Sequence, residues 1–253
     1  MKGRESFLER TIYFTSILFR MLTPPLYSFA RLEKCCKACL RKNPNAYLPR
    51  WFLADLYKEY RKPEEAKREY QALQQRGYLK EKDCLNMAEV LYSLGSYEDV
   101  KRILAPIIDR YVNHKNANWA LAISYMKTEE FDKAVVYLER LIAAGSRRYE
   151  DYRNIGFCYR RLGGFEKAKE AYSNALSIKP DSKEIRENLA LVYIGIGKNL
   201  LDKDIGKSDL AGAEAAFMKA LDINPGDPLV IKSIENIQEL KNLTEQLHEL
   251  KEI

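Results

Sequence analysis

Apolar and polar positions along this chain repeat with a period of 34 residues. Successive segments begin at Tyr47, Glu81, Lys115, Tyr149 and Lys183. The eighth place of each holds a small residue: Ala54, Ala88, Ala122, Gly156 and Ala190. The seventh holds Leu53, Met87, Leu121, Ile155 and Leu189, and the eleventh Tyr57, Leu91, Tyr125, Tyr159 and Tyr193. Places 7, 8 and 11 share one face of a helix, so each segment is predicted to open with one. A break is predicted near place 15, where Gly95, Gly163 and Gly197 stand but Arg61 and Glu129 supply no glycine. A second apolar run follows. Its place 20 is small in most units (Ala66, Val100, Ala134, Ala168) and its place 24 is bulky (Tyr70, Leu104, Leu138, Tyr172). In the fourth unit it ends at Pro180, because a proline cannot continue a helix. Small residues at 8 and 20 let two helices approach closely, and bulky ones at 7, 11 and 24 fill the gap. Each unit is therefore predicted to be a helical hairpin. One hairpin cannot bury its apolar face alone, so the units stack. No strand-like alternation stands out, and the chain reads as all-α.

This pattern resembles the tetratricopeptide repeat (TPR) family. The best match is Tyr149 to Ser182, where Tyr152, Ile155, Gly156, Tyr159, Gly163, Phe165, Ala168, Tyr172, Ala175, Leu176 and Pro180 sit at family positions. The fifth unit matches through Ala213, Phe217, Ala220, Leu221 and Pro225. Pro225 lies 45 residues after Pro180, so this unit carries 11 extra residues, placed between its two helices near 198–210. The three earlier units lack the proline and put Leu73, Ile107 and Leu141 where the family often has alanine. The resemblance implies a right-handed α-solenoid of helix-turn-helix repeats with terminal capping helices. Its expected parts are an atypical basic segment or cap over 1–46, five repeats over 47–80, 81–114, 115–148, 149–182 and 183–227, and a C-terminal amphipathic cap over 228–253. Such repeats fix a fold and serve many unrelated partners.

Composition narrows this a little. The chain of 253 residues is 46% hydrophobic and 31% charged, which is a folded composition and not a disordered one. The net charge is +6, but it sits at one end: residues 1–50 hold ten Lys/Arg against three acids, and the remainder is close to neutral. Five cysteines without framework spacing (Cys35, Cys36, Cys39, Cys84, Cys158) point to reduced thiols in a cytoplasmic setting. Cys35, Cys36 and Cys39 could be half of a metal site, but no second pair completes it. Extending the repeat back one period puts Cys36 and Cys39 at core places, so no metal is expected.

Residues 7–30 are rich in large apolar side chains. Arg20 and Pro24-Pro25 interrupt them, which fits neither a signal peptide nor a spanning helix. Two readings stay open. Phe7 to Leu22 and Leu26 to Lys42 can be the helices of an irregular capping repeat. Alternatively the apolar excess, including Phe14 and Leu18, dips into a membrane surface beside a basic stripe of Arg31, Lys34, Lys37 and Arg41. In that case the chain is an assembly or adaptor factor, peripheral on the cytoplasmic face of a membrane.

In the TPR family the first helix of each unit lines the concave surface, so the resemblance implies that places 2, 5, 9, 12 and 13 face a groove. An apolar strip of Trp51, Leu85, Tyr92, Trp119, Ile123, Met126 and Phe157 results, with Arg153, Arg160 and Arg161 as a basic end. Aromatic anchors with an arginine fringe suit recognition of a peptide or helix. Cover by a terminal segment of the chain is the alternative. Family members that read chaperone tails need a Lys–Asn pair at places 5 and 9. The pairs here are Trp51/Asp55, Leu85/Glu89 and Trp119/Ile123, so that clamp is rejected, although Asn86, Asn154 and Asn188 occupy place 6.

Beyond Pro228, Ile234, Ile237, Leu240, Leu243, Leu247 and Leu250 recur at intervals of three or four, as in one long amphipathic helix. Its first half should cap the last repeat, and its second half could support self-association. Nothing points to catalysis: there is no nucleotide loop, HExxH or nucleophile elbow. His114 and His248 stand alone near helix ends. Nucleic acid is not an expected partner, because Asp55, Glu59, Glu89, Glu150 and Glu187 would repel a polyanion along the groove. The expected function is a non-catalytic protein–protein interaction scaffold without a cofactor, and RNA binding is the less favoured reading.

Overall fold

The computed structural model describes residues 28–201 and 209–249. Among them lie α-helices and one short 3-10 helix, and no strand. Helix α1 spans Phe29–Lys42, α2 Tyr47–Glu59, α3 Pro63–Gln75, α4 Glu81–Ser93, α5 Tyr97–Leu104 and α6 Lys115–Lys127. Then follow α7 Phe131–Ala143, α8 Tyr149–Arg161, α9 Phe165–Ile178, α10 Lys183–Leu201, α11 Leu210–Ile223 and α12 Pro228–Glu249. The chain divides between Thr128 and Glu129 into two compact units.

In the first unit α2 packs on α3 and α4 on α5, with α1, α3 and α5 each also meeting the helix that follows. In the second, α8 packs on α9, α10 on α11, and α12 on α11. The seams are those the period predicts. Ala54, Ala66, Ala122, Ala134 and Ala168 are wholly buried, and Tyr70, Leu104, Leu138 and Tyr172 at place 24 are equally sealed. Gly156 shows why the small place is strict. A β-carbon there would stand 3.0 Å from the Tyr172 ring, which lies across the helix. A bulkier residue at 156 would force that ring out of a close-packed seam.

The turn at place 15 needs a left-handed residue. Gly95 and Gly163 supply it at φ 69° and 75°, and Arg61 and Glu129 adopt it too, at 53° and 61°. Gly197 does not belong with them. It lies inside α10, which continues to Leu201, so the break predicted there is absent. Glycine serves packing there and not a turn: Gly197 is buried, and a β-carbon on it would meet the Phe217 ring at 2.8 Å. The expected insert near 198–210 thus begins as added helix, and residues 202–208 lie outside the described part.

Two local features depart from the period. Helix α5 stops at Leu104, and after Pro106 the chain resumes as a 3-10 turn over Ile108–Tyr111. Pro106 has no N–H with which to extend the helical ladder. Helix α1 starts at Phe29, three residues after the predicted Leu26, and ends before Pro44 as expected. Its Cys36 and Cys39 are buried with Leu32, whereas Cys35 is exposed. Phe14 and Leu18 lie outside the described residues. At the other end Val230, Ile234 and Ile237 join Ala190, Ala213, Phe217 and Ala220 in one core, so the start of α12 closes the last hairpin. Leu240 and Leu243 are exposed.

Candidate functional site

The predicted strip divides between the two units. In the first, the strip residues come from α2, α4 and α6. None is freely exposed. Leu85 and Ile123 are buried, at 8% and 9% exposure, and offer a partner little surface. Trp51, Tyr92, Trp119 and Met126 are half-buried. Their neighbours explain this. The Trp51 indole Nε1 donates to Asp83 Oδ1 at 2.8 Å. The Tyr47 hydroxyl donates to Asp83 Oδ2 at 3.4 Å, and the Lys80 backbone N–H to the same oxygen at 3.2 Å. Trp51 thus links α2 to the start of α4. Tyr92 and Trp119 lie with ring centroids 5.0 Å apart, and Tyr97 stands edge-on to Tyr92 at 5.9 Å. Burial raises the Tyr92 hydroxyl above its ordinary pKa. What remains on this face is the outer surface of the Tyr92–Trp119 pair, with Met126 two turns further along α6.

In the second unit Arg153, Phe157, Arg160 and Arg161 line α8. Arg153 contacts Glu184 at 3.3 Å and the Asn154 side-chain oxygen at 3.1 Å. The guanidinium of Arg160 lies 5.4 Å from the centre of the Phe157 ring. Arg161 reaches Glu129 at 3.6 Å and covers the Phe131 ring at 4.7 Å, while Phe131 meets Phe157 edge-on at 5.8 Å. The three place-6 asparagines are all engaged within the chain. Asn86 accepts from Lys58 at 3.0 Å, Asn154 from Arg153, and Asn188 donates to the Glu184 carbonyl at 2.8 Å.

The basic stripe of α1 is where the sequence puts it: Arg31, Lys34, Lys37 and Arg41 are all exposed, with Lys37 bonded to Glu33 at 2.6 Å. His114 has a role its isolation did not suggest. Its Nδ1 accepts from the Ala117 backbone N–H at 3.1 Å and caps α6. The asparagine-like reach of a neutral imidazole at a helix start was the available signal. No group of three or more His, Cys, Asp or Glu that could hold a metal ion occurs among the described residues. None of their helices is long and apolar enough to cross a membrane.

Comparison with known proteins agrees with the fold. A tetratricopeptide repeat family model matches residues 152–182. "Tetratricopeptide repeat protein 8" of Caenorhabditis elegans is 27% identical over 167 residues, covering 66% of this chain but only 31% of that relative. Among solved structures, YrrB, described as a TPR protein with an unusual peptide-binding site, superposes with a TM-score of 0.56 at 16% identity, over 79% of this chain and 97% of its own. A MamA structure gives 0.53 at 22% identity over 70% and 90%. A tetratricopeptide repeat protein from Parabacteroides merdae gives 0.53 at 16% over 92% and 100%. At such identities these structures speak to the fold alone. With the 34-residue period and the sealed small-residue seams, the chain is an all-α solenoid that carries a tetratricopeptide repeat over residues 152–182.

Proposed function

We propose that this protein is a non-catalytic scaffold that holds a peptide or helix of a partner protein against the faces of its first helices. TPR proteins in general are interaction scaffolds. The observation that carries the finer reading is the half-buried Tyr92–Trp119 pair joining α4 and α6, their ring centroids 5.0 Å apart. Rigid aromatic surface of this kind is a common anchor for partner side chains. The YrrB description, a peptide-binding site, is consistent with this use of the fold. Affinity purification from the native host tests it. Trp119→Ala should lose captured partners while far-UV helicity stays unchanged, and Arg68→Ala on α3 should lose none. Unchanged capture by Trp119→Ala rejects this face as the site.

The second reading, membrane-peripheral attachment through residues 1–45, draws on the exposed Arg31, Lys34, Lys37 and Arg41 of α1. Each basic side chain near an anionic surface adds about 1 kcal/mol. Flotation with phosphatidylserine vesicles at low salt should carry the protein upward, and failure to float rejects it. A cytoplasmic location, free or at a membrane face, belongs to the same proposal.

A further inference from the structure

The two tyrosines at place 24, Tyr70 and Tyr172, are fully buried in equivalent hairpins but stand in opposite electrostatic surroundings. Burial pushes the Tyr70 hydroxyl up, and the negative charges of Asp55, Asp83, Glu89 and Glu59 add to it. Beside Tyr172 stand Arg160 and Arg153, which pull its pKa back against burial.

On α8, Arg153, Phe157, Arg160 and Arg161 fall at i, i+4, i+7 and i+8, one stripe of the helix. Two of the arginines have carboxylate partners, Glu184 and Glu129. Those carboxylate side chains are 60% and 74% exposed, so the pairs are surface contacts that contribute little and exchange readily. Arg160 differs. It is half-buried beside the Tyr172 hydroxyl, its Nε is sealed from solvent with no acceptor, and among the described residues no carboxylate pairs with it. A half-buried guanidinium without a carboxylate is costly, and a partner's carboxylate at its terminal nitrogens suits its planar fork. The Phe157 ring beside it is half-exposed apolar surface.

We propose that this α8 stripe docks an acidic segment of a partner protein. Its carboxylates pair with Arg160 and exchange for Glu184 and Glu129 on Arg153 and Arg161, and an apolar side chain of the segment lies on Phe157. The proposal rests on the scaffold reading above and adds the chemical class of the ligand.

A fluorescein-labelled, C-terminally amidated peptide of sequence Glu-Glu-Leu-Glu-Glu-Phe-Glu tests it by fluorescence polarisation on the full chain. Binding should weaken as salt rises. It should drop at least about tenfold in Arg160→Gln, which loses the charge-assisted pair. It should be unchanged in Lys232→Gln, an exposed cation elsewhere in the same unit. Arg161→Gln provides a second variant if Arg160→Gln unfolds, as judged by far-UV helicity. The proposal is overturned if the peptide does not bind, if both lysine and arginine variants weaken it alike, or if the matching Lys-for-Glu peptide binds as well. Equal binding of a single-stranded oligonucleotide of the same charge also overturns it, since that marks a generic polyanion surface. Partner capture that depends on Trp119 without any acidic-peptide binding leaves the scaffold reading standing and rejects only the acidic class.

Discussion

The Trp51 indole is hydrogen-bonded to the buried carboxylate of Asp83, 2.8 Å away and 32 residues along the chain. A tryptophan that the TPR resemblance places on an open groove is thus committed to joining one repeat to the next. Trp51→Phe keeps an aromatic side chain, though a smaller one, but removes the donor and leaves a buried acceptor short of a partner. It should destabilise the protein by about 1–3 kcal/mol. Urea unfolding of Trp51→Phe, Asp83→Asn and the double variant checks this: the double variant should cost less than the sum, because the two side chains act as a pair.

Gly197 should resist replacement although it lies inside a helix. Alanine there gains about 1 kcal/mol of helix propensity. Its β-carbon, however, meets the Phe217 ring at 2.8 Å in a sealed core. Such overpacking costs about 1–3 kcal/mol, so Gly197→Ala should lower the unfolding midpoint. Phe217→Leu in the same chain should recover part of the loss by vacating the ring's space, and thermal melts of the three variants read it directly.

Arg61 offers the reverse case. It holds φ 53° at an exposed turn where two other repeats use glycine. A left-handed conformation costs a side-chain-bearing residue about 1–2 kcal/mol. Arg61→Gly should therefore raise the melting temperature, while Gly95→Ala, at φ 69°, should lower it. The backbone requirement at place 15 was legible only where glycine met it.

Alkaline pH should weaken the fold. Burial pushes the Cys36 and Cys158 thiols up to about 12 from an ordinary 9.0. Burial, opposed by Arg160, lifts Tyr172 to about 12 from 10.0, and burial with the bond to Glu33 does the same for Tyr57. All four are neutral acids whose folded pKa exceeds the unfolded one. Below about pH 9 both states hold these protons, so the contribution is fully present. As pH rises toward about 12 the unfolded chain releases them first and stability is lost. Urea midpoints should be level from about pH 7 to 8.5 and fall beyond, and the fall should be shallower in Cys158→Ala, which removes one of these protons.

Several features of the fold could be read directly along the chain. The hairpins, their small and bulky seams and the C-terminal cap all follow from residues a few turns apart, because place 8, 20 and 24 contacts recur whenever the period does. The three departures have non-periodic causes. Pro106 shortens α5 by a local chemical defect. Gly197 lies within α10, and its missing side chain leaves room for the Phe217 ring, 20 residues on. Leu85 and Ile123 are buried although the TPR resemblance puts them on the groove face.

By itself the sequence determined the repeat, the helix pairs and the class of the fold, since those depend on periodicity and on steric size at fixed spacings. Only the tertiary structure decided which side chains on the first-helix faces remain available. That depends on what each meets across a repeat boundary: Asp83 for Trp51, Tyr92 for Trp119, Glu184 for Arg153 and no carboxylate among the described residues for Arg160. Such pairings join residues about 30 positions apart, and a hydrogen bond or ring contact forms only when distance and direction are both right. Spacing along one helix carries neither.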